Sequence, residues 1–295
     1  MSEYAHIHPD FRAVLSLSDK ERIHFLNEPR WIGYPAAQKL IELLRHMMEL
    51  PTRARMPNLL IVGDSNNGKT TILDRFKELH GKGYVNENAE PVKPVIIVES
   101  PPTSDEKALY ASILEEFWTP YRVTDSVIKL RYQVIHLLRE CNVKILIIDE
   151  LHSLLSGSAI KQREMMNTIK MLCNELKIPV VGVGTSDAVR VLHTDPQHAS
   201  RFDVLSLHPW RLGVDFQRFL KGFESVLPLR QASELFRPEI AKALHAISEG
   251  NTGNLHRLLI ECATEAINSG KEKIDVEMIN RKSWLQPTRG IRELM

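Results

Sequence analysis

Residues 59–76 read LLIVGDSNNGKTTILDRF: an apolar run, a turn holding two glycines, then a lysine and two threonines that open a helical pattern. From Gly63 through Asp64, Ser65, Asn66, Asn67, Gly68 and Lys69 to Thr70 the segment satisfies G-x-x-x-x-G-K-[ST] in full, and Thr71 follows directly. Glycines let successive backbone N–H groups turn inward around phosphate oxygens, and the N-terminus of the next helix adds a positive field. In such a cradle the lysine, here Lys69, reaches the β- and γ-phosphates of ATP, and the hydroxyl, here Thr70, binds Mg2+. The motif is informative only between a strand and a helix. Leu59–Val62 reads as a short buried strand and Gly68 to about His80 as a helix, so both are present.

Outward from the cradle the same alternation recurs. PVKPVIIVES gives a strand near 95–99, KILIIDE a third, IPVVGVGTS a fourth and RFDVLSL a fifth. Helical periods occupy about 105–118, 125–140 and 159–177 between them. Strands alternating with helices argue for an α/β fold with a parallel sheet covered on both faces. After Pro209 the pattern is helical only, from about 214 to 282, with breaks at Pro228, Pro238 and Gly250–Gly253. The expected organisation is an N-terminal extension over 1–35, an α/β core over 36–212, a small all-helical domain over 213–282 and a tail over 283–295.

Composition narrows the possibilities. The chain has 295 residues, 43% hydrophobic and 25% charged, which is ordinary globular usage. Its net charge is +1, so a nucleic-acid surface would have to be a local basic face. Cys141, Cys173 and Cys262 lack metal-ligand or CxxC spacing and read as thiols in a reducing compartment. The N-terminus has no signal-peptide pattern, and no apolar run approaches the ~20 residues of a membrane helix. The expectation is a soluble, cytoplasmic protein without membrane association.

The strand ends carry the remaining chemistry. Ile145–Ile148 ends in Asp149-Glu150, where Asp149 can hold the Mg2+ shell and Glu150 can polarise a water in line with the γ-phosphate. Thr185, closing GVGT, either senses the γ-phosphate or fixes the attacking water, or is a plain strand-end hydroxyl. Arg201, just before the fifth strand, either forms a surface salt bridge or crosses to a neighbouring subunit's nucleotide, a role worth roughly 10³–10⁵ in rate. The DELH of Asp149–His152 resembles a helicase box, but such helicases need two of these domains and this chain has room for one. His152 is therefore read as a loop residue near the site.

Taken in order, cradle, Asp-Glu strand, polar sensor, arginine and helical lid resemble the AAA+ P-loop ATPase family over about residues 33–282. More narrowly, RWIGYPAAQKLIELL (30–44), the cradle stretch, ILIIDELHSLLSG (145–157) and VGVGTSDAVRVLHTDPQHASRF (181–202) look like the TniB proteins of bacterial transposons, relatives of the TnsC transposition regulators. That resemblance implies an ATP-bound protomer that assembles with further copies, as a ring or helical filament, on duplex DNA. It also implies engagement of a transposase and of a target-selection protein. Ile32, Gly33 and Tyr34 would line the adenine pocket, although WIGYP reads equally as a core-anchoring turn. One departure stands out. AAA+ lids place an arginine in Gly-x-x-Arg, whereas GNLHR puts His256 there and Arg257 one step on. One residue turns a helix face by about 100°, so only one of the two can face the phosphate.

DNA would be held through its phosphates, without sequence preference, by basic residues such as Lys107, Arg122, Lys129, Arg131, Lys161, Arg163 and Lys170. The tail, with Trp284, Leu285, Arg289 and Arg292, reads either as a transposase-docking segment or as a disordered end. Two other functions stay open at this point: a nucleotide-switch adaptor with negligible turnover, and a helicase loader or remodelling factor.

Overall fold

The structure, a computed structural model, describes residues 4–193 and 200–286, without the side chain of Ser156. Arg289, Arg292 and the TDPQHA stretch of the 181–202 segment lie outside the described residues. The chain divides into two compact units, one made of Lys39–Ser65 with Lys69–Leu207, the other of Met1–Gln38, Asn66–Gly68 and His208–Met295.

The first unit is α/β. Its strands are β1 (Asn58–Gly63), β2 (Tyr84–Val85), β3 (Pro91–Val92), β4 (Val95–Glu99), β5 (Ile145–Asp149), β6 (Val180–Gly184) and β7 (Phe202–Leu207). Five of them form one sheet in the order β4-β5-β6-β1-β7, every neighbouring pair parallel. Strands β1, β5 and β6 are buried at every position because helices cover both faces of a parallel sheet. The helices Glu106–Glu116, Val127–Glu140 and Ala159–Leu176 press Leu109, Ile113, Leu130, Val134, Met166 and Ile169 into that core. Edge strand β7 pairs, among the described residues, only with β1 and is largely exposed. The five sheet strands fall where the apolar runs predict them. A further antiparallel pair, β2 with β3, is absent from the sequence reading, since two residues per strand are too few to show a period.

Helices Asp19–Asn27, Val214–Glu224, Pro238–Ser248, Thr252–Asn268 and Val276–Arg281 build the second unit. Ser18 and Glu21 start the first of these with reciprocal backbone caps, the Ser18 N–H reaching Glu21 Oε2 at 2.9 Å and the Glu21 N–H reaching Ser18 Oγ at 3.4 Å. Residues 1–38 group with this unit because Arg22, fully buried, fastens them to it. Its Nη1 donates to the Pro228 carbonyl (2.9 Å) and Glu272 Oε2 (2.8 Å), and its Nη2 to Glu272 Oε1 (2.6 Å) and Asp19 Oδ1 (2.8 Å).

Candidate active site

Strand order decides what meets what. Because β6 lies between β1 and β5, the carboxyl ends of three strands stand side by side: Gly63 leading into the cradle, Thr185 after β6, and Asp149 on β5. Ligand sites of open α/β sheets form in the crevice outside such ends.

The cradle loop is built to turn sharply. Gly68 has φ +80° and Asn66 φ +62°, and a left-handed position like that of Gly68 is the one an unbranched backbone takes at little cost. The helix Lys69–His80 begins at once. Lys69 is only 7% exposed, and its Nζ donates to the carbonyls of Gly63 (2.9 Å) and Asp64 (2.7 Å). No ion pair holds it among the described residues. Burial lowers its pKa, while the nearby charges of Glu150, Asp149 and Asp64 pull the other way. A buried ammonium whose direct partners are neutral carbonyls is a site prepared for an anion.

Asp149 is 7% exposed and accepts twice, from the Thr70 hydroxyl at Oδ2 (2.9 Å) and from the Glu150 N–H at Oδ1 (2.8 Å). A hydroxyl and a carboxylate in contact are hard oxygen donors suited to Mg2+, which typically takes one or two protein oxygens and completes its shell with water and phosphate. No cluster of three or more His, Cys, Asp or Glu able to cage a metal occurs among the described residues. Glu150 itself sits in the left-handed region (φ 55°, ψ 34°) as the chain leaves β5. Its Oε2 lies 3.2 Å from His152 Nε2, and His152 Nδ1 faces the Thr185 N–H at 3.5 Å.

One neighbour is absent from the sequence reading. Ser100, 4% exposed, follows β4 and donates its N–H to the Asp149 carbonyl (2.8 Å), yet its hydroxyl has no partner among the described residues. The register that pairs Glu99 with Asp149 puts it there, and that register is readable only once the strand order is known.

Other expected residues lie elsewhere. Arg201 opens β7: its carbonyl accepts from the Asn58 N–H (3.3 Å) and its Nη1 donates to Asn174 Oδ1 (2.8 Å). Asn58 pairs with Phe202 and Gly63 with Leu207, so Arg201 lies at the far end of the strand from the cradle. At about 3.3 Å per residue the steps from Arg201 to Leu207 span about 20 Å, beyond an arginine's reach of its own chain's cradle. Among the basic residues, Lys129 pairs with Asp125 (2.7 Å), Lys107 Nζ donates to the Val123 carbonyl (2.5 Å) and Arg131 faces Glu175 (4.0 Å).

In the helical unit Tyr34 is buried, its ring 4.9 Å from that of Trp210 and 5.3 Å from that of Phe219, and burial pushes its phenol up to about 12. The WIGYP turn is thus anchored by its tyrosine. The loop tip belongs to the same unit: Thr252 donates through N (3.3 Å) and Oγ1 (3.2 Å) to Asn67 Oδ1, and the Gly253 N–H reaches the Asn66 carbonyl (2.9 Å). The His256 ring packs 5.7 Å from Phe223, whereas Arg257, half-buried, makes no hydrogen bond or ion pair among the described residues. No helix among the described residues is long and apolar enough to cross a membrane.

Solved structures share this architecture. Cdc6p from Pyrobaculum aerophilum is 18% identical, with a TM-score of 0.62 over 88% of this chain and 69% of that one. The ORC2 protein of Aeropyrum pernix, in ADPNP–ADP complexes, is 18% identical with a TM-score of 0.63 over 89% and 71%. The ORC1 protein of Aeropyrum pernix, in complex with DNA, is 16% identical with a TM-score of 0.55 over 88% and 68%. Likeness at these identities establishes the fold, that of an AAA+ P-loop ATPase, and nothing finer. Comparison with curated sequences gives no match. A family model described as bacterial TniB protein matches residues 22–212, well over half of the chain. With cradle, acidic strand end and helical unit in the expected order around that match, the chain belongs to the bacterial TniB family.

Proposed function

We propose that this protein is an ATP-dependent, DNA-binding AAA+ ATPase of the cytoplasm that oligomerises on duplex DNA and brings a transposase, with a target-selection protein, to the insertion site. The observation that carries it is Lys69, a buried ammonium held by two backbone carbonyls beside the Thr70–Asp149 contact. In this reading Gly63–Thr71 holds the triphosphate, Thr70 and Asp149 hold Mg2+, and the metal's contribution is to neutralise phosphate charge. Glu150 accepts the proton of a water whose oxygen bonds to the γ-phosphorus as the bond to the bridging oxygen of ADP breaks. Thr185 orients that water, and Arg201 serves the nucleotide of a neighbouring copy. Ile32, Gly33 and Tyr34 toward adenine, and Arg257 toward the phosphates, are carried over from the family. DNA binding is sequence-tolerant and through phosphate.

Turnover of the wild type and of Glu150→Gln, with and without duplex, tests the reading. We expect DNA-stimulated hydrolysis in the wild type and a loss of about 10²–10⁴ in the variant, with ATP binding retained. The nucleotide-switch adaptor is the second reading, favoured by His256 standing where AAA+ lids place an arginine, its ring packed against Phe223. Absence of DNA-dependent hydrolysis by the wild type, with ATP-dependent assembly intact, decides for it.

A further inference from the structure

Two glycines on β6 let the turn after β5 lie directly on that strand. A Cβ at Gly182 would meet Leu151 Cδ2 at 2.6 Å, and one at Gly184 would lie 3.3 Å from His152 Nδ1. Leu151 and Leu154, each 1% exposed, anchor the short 3-10 turn Leu151–Ser156 in the core, so His152, whose side chain is 30% exposed, contributes little to packing. Its ring is nonetheless fixed at both nitrogens. A backbone N–H can only donate, so Nδ1 must present its lone pair to Thr185, which leaves the proton on Nε2 to be donated to Glu150 Oε2. This tautomer follows from the partners. The chain Thr185 N–H, His152, Glu150 therefore links the sensor strand to the carboxylate by direct contacts.

We propose that His152 is a positioning residue for hydrolysis: oriented by the Thr185 N–H, it holds one carboxylate oxygen of Glu150 so that the other faces the attacking water. The proposal rests on the reading of Glu150 as the proton acceptor. A base oriented by a third group is the recurring device for setting reactive geometry, and displacements of about 1 Å cost up to about 10²-fold in rate. A move of Thr185 is thereby transmitted to Glu150 through one ring.

Steady-state ATP hydrolysis by the full chain with duplex DNA, together with equilibrium binding of a fluorescent ATP analogue, tests this with three variants. His152→Phe keeps the ring's bulk and loses both contacts. Its kcat should fall about ten- to a hundredfold, while KM and analogue affinity stay within about twofold of wild type. His152→Gln, whose amide N–H reaches the carboxylate, should recover most of kcat. His152→Asn, long enough for Thr185 but not for Glu150, should not. A Phe variant with wild-type kcat overturns the inference, as does a Gln variant no better than Phe. If the wild type binds the analogue but turns no ATP over, the Glu150 reading falls and this inference with it. If the wild type turns over and only the variant pattern fails, His152 alone is misassigned.

Discussion

The two units bury charge in opposite ways. In the helical unit the buried Arg22 and nearly buried Glu272 meet through two short contacts, Asp19 and Arg230 join them, and among the buried side-chain polar atoms of that unit's described residues only Arg22 Nε is left unpartnered. In the α/β unit Lys69 is nearly as buried but, among the described residues, has only carbonyl oxygens as direct partners, and Ser100, whose N–H is on Asp149, has a hydroxyl with none. A charge that finds its opposite inside the fold holds that fold together. One left with neutral partners leaves its desolvation cost standing until a ligand offsets it. Applied to these two buried charges, the criterion separates scaffold from site without reference to motif.

The largest effect should come from breaking the complete pair. Glu272→Gln leaves the buried Arg22 with only the exposed Asp19 carboxylate as counter-charge, which costs up to about 3–5 kcal/mol. Chemical denaturation of the full chain, followed by a probe in the helical unit, measures it. Acid should erase the same difference. Burial, the largest influence, pushes the Glu272 carboxyl up, but the Arg22 hydrogen bonds and the Arg230 N–H together outweigh it, so the carboxyl stays below its ordinary 4.5. A depressed folded value means stability that is present above the ordinary value and lost as pH falls through the folded one. Wild type and Glu272→Gln should therefore converge in Tm below pH 4.5 and diverge above it. A gap that persists unchanged at pH 3 would break the ion-pair account.

Next in size is the opposite experiment. Lys69→Met removes an ammonium whose partners are neutral, so denaturation should show equal or greater stability than the wild type. ATP binding should fall by about 2–5 kcal/mol, roughly thirty- to several-thousand-fold in Kd, as when one side of a buried charged contact is lost. A variant that loses stability and retains ATP affinity would place Lys69 with Arg22, and the contrast between the units would disappear.

How much of this contrast was legible beforehand depends on sequence distance. Gly63–Thr70 and Asp149-Glu150 are local patterns, and the five sheet strands announce themselves by apolar runs bounded by turns. Arg22 and Glu272 lie 250 positions apart, and neither sits in a pattern that distinguishes it from a surface charge, so the fastening of the N-terminal segment was invisible. The contacts of His152, itself read as a loop residue near the site, and of Ser100 were hidden for a third reason. Their neighbours follow from β6 inserting between β1 and β5 and from the β4–β5 register, and strand order is a property of the whole sheet. The paired glycines of VGVG were the available trace, since a strand that gives up two side chains signals close approach.

Ser100 gives the smallest effect and the finest cut. An orphan buried hydroxyl with no purpose should be dispensable, and Ser100→Ala should then raise stability by up to about 1 kcal/mol and leave activity untouched. If the hydroxyl instead belongs with Lys69 as a group waiting for a ligand, the stability gain remains but Mg-ATP hydrolysis falls, by about two- to tenfold for one hydrogen bond. The contrast between the units predicts the second pattern, because Ser100 lies in the α/β unit with its N–H on Asp149. Thermal unfolding and kcat measured on the same preparation separate the cases. Loss of stability with wild-type kcat would show that an unpartnered group in this unit supports the scaffold, and the criterion would fail where it is most sensitive.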